Sequence, residues 1–177
     1  DYRVAAFAVE RGHLGRNELL GLPVVALEDL PQAFRPDRHE VYVALVYSEL
    51  NRLRTRLVRA VEAMGYGLAS FVSPHARISP SARLGRHCFV FEDNVIQPYV
   101  SIGENVVLWS GNHIGHHSTL GNNCFISSHV VVSGHCEIGE NCFLGVNAAV
   151  ANNVHIAKDC WIGPGVVVGA DTEAGQM

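Results

Sequence analysis

The chain has 177 residues, of which 48% are hydrophobic and 17% charged, and its formal net charge is −4. This composition supports a buried core and excludes an intrinsically disordered chain. It also argues against a nucleic-acid-binding protein, because phosphate backbones are bound by clustered Lys and Arg. No segment has the roughly 18 apolar residues of a membrane span, and no secretory signal opens the chain, so we expect a cytoplasmic protein that does not bind membranes.

Residues 1–70 predict a small α/β domain. Strands are predicted at Val4–Val9, Val41–Val46 and Gly67–Val72, and apolar residues repeat at helical spacing from Leu50 to Met64. Short strands that alternate with helices are typical of a parallel sheet with crossover connections. The domain is short, and a missing first strand is one explanation for its abrupt start.

From Val72 onward the sequence repeats every six residues. Every sixth residue is Val, Ile or Leu, without interruption: Val72, Ile78, Leu84, Val90, Ile96, Ile102, Leu108, Ile114, Leu120, Ile126, Val132, Ile138, Leu144, Val150, Ile156, Ile162 and Val168. This period fits neither an α-helix nor a simple strand, and it indicates a parallel β-helix over residues 71–177 in which three hexads close one triangular coil. The residue after the aliphatic one is often Gly, which we expect to ease an unusual φ at the corner.

The repeat aliphatic-Gly-x-x-small-x resembles that of the hexapeptide-repeat acyltransferases. The order of a small α/β domain and then an uninterrupted repeat is similar to the sialic acid O-acetyltransferase-like sugar acyltransferases, which include N-acetyltransferases of nucleotide-linked amino sugars. The resemblance implies left-handed coils and a homotrimer. It also implies an enzyme that transfers an acetyl group from acetyl-CoA to an amino or hydroxyl group of a sugar, which is expected to be nucleotide-linked. A longer acyl donor than acetyl stays open.

All five cysteines occupy the same place in the hexad, four residues after the aliphatic one: Cys88, Cys124, Cys136, Cys142 and Cys160. A shared structural position explains this pattern better than thiol chemistry does. We therefore predict that the cysteines are small interior side chains, with no role as nucleophile, disulfide or metal ligand.

Five of the ten histidines lie between residues 111 and 135, and none of them takes an inward-pointing position of the hexad: His113, His116, His117, His129 and His135. Acyl transfer from a thioester needs a base for the attacking group, and imidazole titrates near neutral pH. Because the CoA thiolate leaves readily, we expect direct attack without a covalent intermediate. The oxyanion would be stabilised by a backbone N–H or by Asn112.

The resemblance assigns the base to one of these histidines. In the stretch Ile114–Gly121, His116 aligns with the catalytic histidine of the family. Relatives often place a carboxylate directly after it, but His117 stands there in this chain. The orienting group is therefore open, and His117 is a second catalytic candidate. Asn112 and His113, which lie close by in sequence, are predicted substrate contacts.

The resemblance also implies a donor groove between subunits, where acetyl-CoA is held by later coils. The matching positions are Phe125, Gly134, Val146 and Gly163, and His129 is a further candidate for this groove. For the acceptor, Glu10 matches an acidic position after a strand, and Trp109 could stack on a sugar or nucleobase. The phosphate-binding pattern G-x-G-x-x-G is not found, and only Gly12-His13-Leu14-Gly15 is present.

Two other functions stay open at this stage. A zinc enzyme of the γ-carbonic-anhydrase kind uses the same β-helix and three histidines, and the eighteen-residue spacing of His117 and His135 should stack their rings. The α/β domain fits that class poorly, so no metal ligands are assigned. A non-catalytic binding or structural β-helix is the other alternative. The remaining histidines are expected at the surface: His13, His39, His75, His87 and His155.

Overall fold

A computed structural model describes residues 2–176, and the chain forms two compact units. Within the described residues, the first consists of residues 2–41 and Val61–Gly67, and the second of Tyr42–Ala60 and residues 68–176. The units differ from the predicted division at residue 70, because Tyr42–Ala60 groups with the β-helix.

The first unit contains a three-stranded sheet in the order β1-β3-β2, in which β1 is parallel and β2 antiparallel to β3. The elements up to the β-helix are β1 (Phe7–Val9), a 3-10 helix (Arg11–His13), β2 (Glu18–Leu19), β3 (Leu22–Ala26), a 3-10 helix (Leu27–Asp29), α1 (Leu30–Ala33), β4 (Glu40–Val41), α2 (Arg52–Ala63) and β5 (Gly67–Leu68). The predicted helix is confirmed as α2. It ends before Gly65, whose φ of +89° suits a helix terminus. The strand predicted at Val41–Val46 is paired only at its first residue.

The hexapeptide region forms seventeen two-residue strands, one for each aliphatic position. They are β6 (Phe71–Val72), β7 (Arg77–Ile78), β8 (Arg83–Leu84), β9 (Phe89–Val90), β10 (Val95–Ile96), β11 (Ser101–Ile102), β12 (Val107–Leu108), β13 (His113–Ile114), β14 (Thr119–Leu120), β15 (Phe125–Ile126), β16 (Val131–Val132), β17 (Glu137–Ile138), β18 (Phe143–Leu144), β19 (Ala149–Val150), β20 (His155–Ile156), β21 (Trp161–Ile162) and β22 (Val167–Val168). Each pairs in parallel with the strand eighteen residues away, which confirms the parallel β-helix.

The strands make three sheets, and the first residue of each strand points outward. We name the sheets by those residues. The aromatic face (β6, β9, β12, β15, β18, β21) carries Phe71, Phe89, Val107, Phe125, Phe143 and Trp161. The aliphatic face (β7, β10, β13, β16, β19, β22) carries Arg77, Val95, His113, Val131, Ala149 and Val167. The polar face (β8, β11, β14, β17, β20) carries Arg83, Ser101, Thr119, Glu137 and His155.

The corners correct the predicted role of the glycines. The unusual φ lies two residues after the glycine position, where Asn, Asp and His dominate and φ is near +60°, as in Asn123 and His117. These residue types tolerate the left-handed region best after Gly. Gly115 instead allows close approach of coils, because a Cβ there would lie 2.5 Å from the backbone of Ser133.

The interior of the coils is aliphatic, and the predicted placement of the cysteines is confirmed. All five thiols are free and buried, and they alternate with the aliphatic residues in a single core cluster. Burial raises the pKa of Cys88 and of Cys136, which keeps these thiols protonated.

The aromatic face is covered by its own chain. Tyr47 contacts the rings of Phe125, Phe143 and Trp161, with centroid distances of 5.2, 4.7 and 5.7 Å. Phe125 is consequently buried. The prediction that Phe125 contacts acetyl-CoA does not fit this position, because Tyr47 and the neighbouring ring of Phe143 already cover its side chain.

Candidate active site

The histidine cluster lies at the corner between the aliphatic and polar faces. This histidine corner consists of residues 97–100, 115–118, 133–136 and 151–154, which connect successive strands of the two faces. His116, His117 and His135 are exposed there, and they come from two adjacent coils. The eighteen-residue period therefore brings together side chains that a single coil could not supply.

His116 is held from three sides. Its backbone N–H donates to Oε1 of Gln97 at 2.9 Å, and its Nδ1 lies 3.2 Å from Nδ1 of His117, with one ring donating to the other. A Cβ on Gly134 would lie 2.8 Å from Cε1 of His116, so only glycine leaves room for this ring. The bond to His117 occupies Nδ1 and leaves Nε2 as the nitrogen for proton transfer.

His117 belongs to a column of rings at one position of the corner. Tyr99, His117 and His135 all have φ near +60° and are eighteen residues apart. The His117 and His135 rings stack at 4.9 Å with an interplanar angle of 13°, which confirms the predicted stacking. Tyr99 lies 4.8 Å from His117, and 64% of its surface is exposed.

The same cluster has the donor set of a metal site. One nitrogen from each of His116, His117 and His135 lies within 4.8 Å of the other two. Neutral imidazoles bind Zn²⁺ and neighbouring transition metals well. No cysteine or carboxylate accompanies them in this group.

Most of the other predicted contacts lie at a second corner, between the aromatic and aliphatic faces. This tryptophan corner comprises residues 91–94, 109–112, 127–130, 145–148 and 163–166. Trp109 is 40% exposed and stacks on Phe89 at 5.7 Å. His129 packs its ring over Gly111, where a Cβ would collide with it. Val146 is exposed and Gly163 partly exposed at the same corner.

Asn112 is a structural residue of this corner. Its side chain is buried, donates to the Trp109 carbonyl at 2.7 Å and accepts from the Val130 N–H at 2.8 Å. Both ends of the amide are therefore used inside the coil, and the expectation that it contacts substrate or an oxyanion is not supported. His113 points outward from the aliphatic face between Val95 and Val131, away from the three-histidine cluster. Glu10 follows β1 in the first unit.

Sequence reasoning missed three features. The first is Gln97, which precedes His116 by about one coil and accepts a hydrogen bond from its backbone N–H. The second is the role of Gly134. The resemblance predicts that it contacts acetyl-CoA, whereas in the structure it makes space for the His116 ring. His87 is not at the surface: it is buried, its Nδ1 lies 2.9 Å from the Ala69 carbonyl, and its Nε2 accepts from the Val43 N–H at 3.3 Å. Its burial lowers the pKa of His87 to about 4.

Comparison with known proteins shows which family the chain belongs to. The sequence pattern described as bacterial transferase hexapeptide (six repeats) matches residues 99–134 and 135–170. PerB from Caulobacter crescentus, solved with CoA and GDP-perosamine, is 32% identical, with a TM-score of 0.80 over 88% of this chain and 74% of that chain. The chain belongs to the hexapeptide-repeat transferases.

Further structures agree with this family. A variant of perosamine N-acetyltransferase from Caulobacter crescentus with one histidine replaced by asparagine, also with CoA and GDP-perosamine, is 31% identical, with a TM-score of 0.83 over 90% of this chain and 75% of that chain. The acetyltransferase domain of PglB from Neisseria gonorrhoeae FA1090, in complex with acetyl coenzyme A, is 24% identical, with a TM-score of 0.84 over 96% and 80%. These matches confirm the predicted left-handed β-helix. No curated protein sequence matches the chain.

No helix within residues 2–176 of this transferase is long and apolar enough to cross a membrane.

Proposed function

We propose that this transferase moves an acetyl group from acetyl-CoA to the amino group of a nucleotide-linked sugar, with His116 as the general base. The observation that carries the proposal is the placement of His116. Its backbone N–H donates to Gln97, and its ring is held by His117 in the space left by Gly134. Two structures at least 31% identical, one named as a perosamine N-acetyltransferase and one as PerB, are complexes with CoA and GDP-perosamine, which supports the donor and the acceptor class.

The chemistry requires one proton to move twice. Nε2 of His116 takes a proton from the acceptor amine as its nitrogen attacks the thioester carbonyl, and a tetrahedral intermediate forms. Collapse of the intermediate breaks the C–S bond, and the departing thiolate of CoA receives the proton from the imidazolium. His117 holds Nδ1 of His116 throughout, so the ring keeps its orientation while Nε2 changes its protonation state.

The aliphatic face supports a homotrimer as part of the proposal. Val131 is 41% and Val167 75% exposed, and the one outward residue between them, Ala149, is apolar. An exposed apolar strip of this kind marks an interaction surface. A cyclic trimer built on this face would bring the histidine corner of one copy next to the tryptophan corner of its neighbour. Trp109, His129, Val146 and Gly163 would then contact substrates bound at the neighbour's His116.

The proposed activity is tested by an acetyl-CoA consumption assay with a panel of acceptors. The panel contains nucleotide-linked amino sugars, the same sugars without the amino group, and free sialic acid. We expect turnover with a nucleotide-linked amino sugar. Turnover only with hydroxyl acceptors would change the proposal to O-acetylation, and no consumption with any acceptor would favour a non-catalytic binding protein. A cytoplasmic location remains part of the proposal.

The trimer is tested with a charge placed on the aliphatic face. Val131→Glu would put a carboxylate in the contact between copies, and we expect sedimentation to shift from trimer to monomer. Ser101→Glu is the matched control, because it occupies the equivalent strand position on the polar face beside Arg83. Identical sedimentation of the two variants would contradict the assignment of this face.

A further inference from the structure

The three-histidine cluster has a geometry that acetyl transfer alone does not require. His116, His117 and His135 each offer one nitrogen, and these nitrogens lie within 4.8 Å of one another. Two imidazoles would suffice for a base and its orienting partner. The third, His135, comes from the next coil and its ring centroid is 5.0 Å from that of His116.

These distances are close to those of a metal centre. Nitrogens bound tetrahedrally to Zn²⁺ at about 2.0–2.1 Å are about 3.4 Å apart. The Nδ1 atoms of His116 and His117 are already 3.2 Å apart. The stacked rings of His117 and His135 are nearly parallel, so their nitrogens converge on one ion only after side-chain rotation of one ring. All three side chains are exposed, which leaves room for this rotation.

The backbone beneath the cluster is well fixed. The N–H of His135 donates to the carbonyl of His116 at 2.9 Å, and the N–H of His117 donates to that of Pro98 at 3.1 Å. The ligands therefore stand on hydrogen-bonded turns that stack between parallel strands, so little backbone ordering is needed on binding. The ligand set is nitrogen only, which favours Zn²⁺, Ni²⁺, Co²⁺ or Cu²⁺ over Mg²⁺ or Ca²⁺.

We propose that His116, His117 and His135 form a binding site for a divalent transition-metal ion, with Zn²⁺ as the reference ion. The bound ion inhibits acetyl transfer because it takes one nitrogen of His116 and leaves the proton of the neutral ring on the other, so that the ring no longer accepts a proton. The binding part stands on geometry alone, whereas the inhibition rests on the proposed function. A three-histidine site leaves a fourth position for water or a substrate group.

Binding is measured by calorimetric titration of the chelator-treated, untagged protein with Zn²⁺, and by the visible absorption of Co²⁺ added in its place. His135→Asn is the test variant, because Asn153 has the same place in the hexad one coil later and the same positive φ. His155→Gln is the control, since His155 lies on the polar face beside Glu137. We expect one Zn²⁺ per chain, with affinity at least about tenfold weaker in His135→Asn and unchanged in His155→Gln.

Inhibition is measured separately, as the ratio of acetyl-transfer rates with and without Zn²⁺ for each protein. We expect this ratio to fall in the parent and His155→Gln proteins, to recover with chelator, and to be at least about tenfold less sensitive to Zn²⁺ in His135→Asn. Equal Zn²⁺ affinity in the two variants, or no binding to the parent protein, would overturn the site. Binding without any transfer activity would leave the metal site standing and refute the proposed function.

Discussion

Two corners of the β-helix use the same backbone for different purposes. At the asparagine corner, between the polar and aromatic faces, the positive-φ column is His87, Asn105, Asn123, Asn141 and Asp159. At the histidine corner, the equivalent column is Tyr99, His117, His135 and Asn153. The hexapeptide repeat fixes the conformation at both, so the difference between them lies only in what the side chains contact.

The asparagine corner is closed by its own side chains. Asn105 donates to Asn123 at 2.9 Å, Asn123 to Asn141 at 3.1 Å, and Asn141 to Asp159 at 3.0 Å. Arg54 of α2 donates to Asn105 at 2.7 Å and so ties the helix to this ladder. At the histidine corner the rings stack but remain exposed. A column whose side chains are hydrogen-bonded to one another serves stability, whereas exposed imidazole nitrogens remain available for chemistry.

The largest expected difference between the corners is the effect of His87, at the asparagine corner, on the pH dependence of stability. Its folded-state pKa of about 4 lies below the ordinary 6.5, so between these values the unfolded chain binds more protons than the folded one. The free energy of unfolding should therefore fall as the pH drops from 6.5 to 4, by up to about 3 kcal/mol. Urea unfolding across this range measures it.

His87→Asn is the control for this pH dependence, because Asn suits the positive φ at this corner. This variant should lose much less free energy of unfolding between pH 6.5 and 4, while the effect of carboxylate titration at lower pH remains. An unchanged pH dependence in the variant would show that His87 is not the group responsible.

Breaking the asparagine ladder should lower the free energy of unfolding by a smaller amount. Asn123→Ala removes one acceptor and one donor of the ladder and places Ala at a φ of 61°, so we expect a loss of about 2 kcal/mol in the free energy of unfolding. Asn123→Gly keeps the backbone free of strain and should lose only the hydrogen-bond part. Thermal unfolding compares the two. A loss of acetyl transfer in the still-folded variants would contradict the purely structural role of this corner.

The corresponding change at the histidine corner should affect activity rather than stability. His117→Asn retains a residue suited to the positive φ but removes the ring that holds Nδ1 of His116. We expect a decrease of about tenfold in kcat, equivalent to about 1.4 kcal/mol, with unfolding within about 0.5 kcal/mol of the parent protein. If His117→Asn lowered the free energy of unfolding as much as Asn123→Ala does, the proposed difference between the corners would be contradicted.

Much of this architecture was predictable from the period of six. The unbroken series of aliphatic residues gives the coils, and the shared hexad place of the cysteines puts them in the core. Spacing by eighteen predicts the stacked rings of His117 and His135. The period cannot tell which face the segment around Tyr47 covers, and Phe125, which the resemblance places in a ligand groove, is buried beside the Tyr47 ring.

The contacts that define the candidate site were harder to predict. Gln97 and Gly134 act on His116 from neighbouring coils, and nothing in their hexad positions distinguishes them from surface residues. Asn112 occupies the inward small position of its hexad, which was a signal for a buried role. His87 shares its hexad place with His117, and only the covering segment that supplies Val43 makes it buried.

The central claim is that His116 is the base, and the turnover of His116→Ala tests it most directly. With saturating acetyl-CoA and the best acceptor of the panel, we predict a decrease of at least about 100-fold in kcat, with unchanged unfolding and oligomeric state. Turnover within a few-fold of the parent protein would contradict the claim and move the proton transfer to another group.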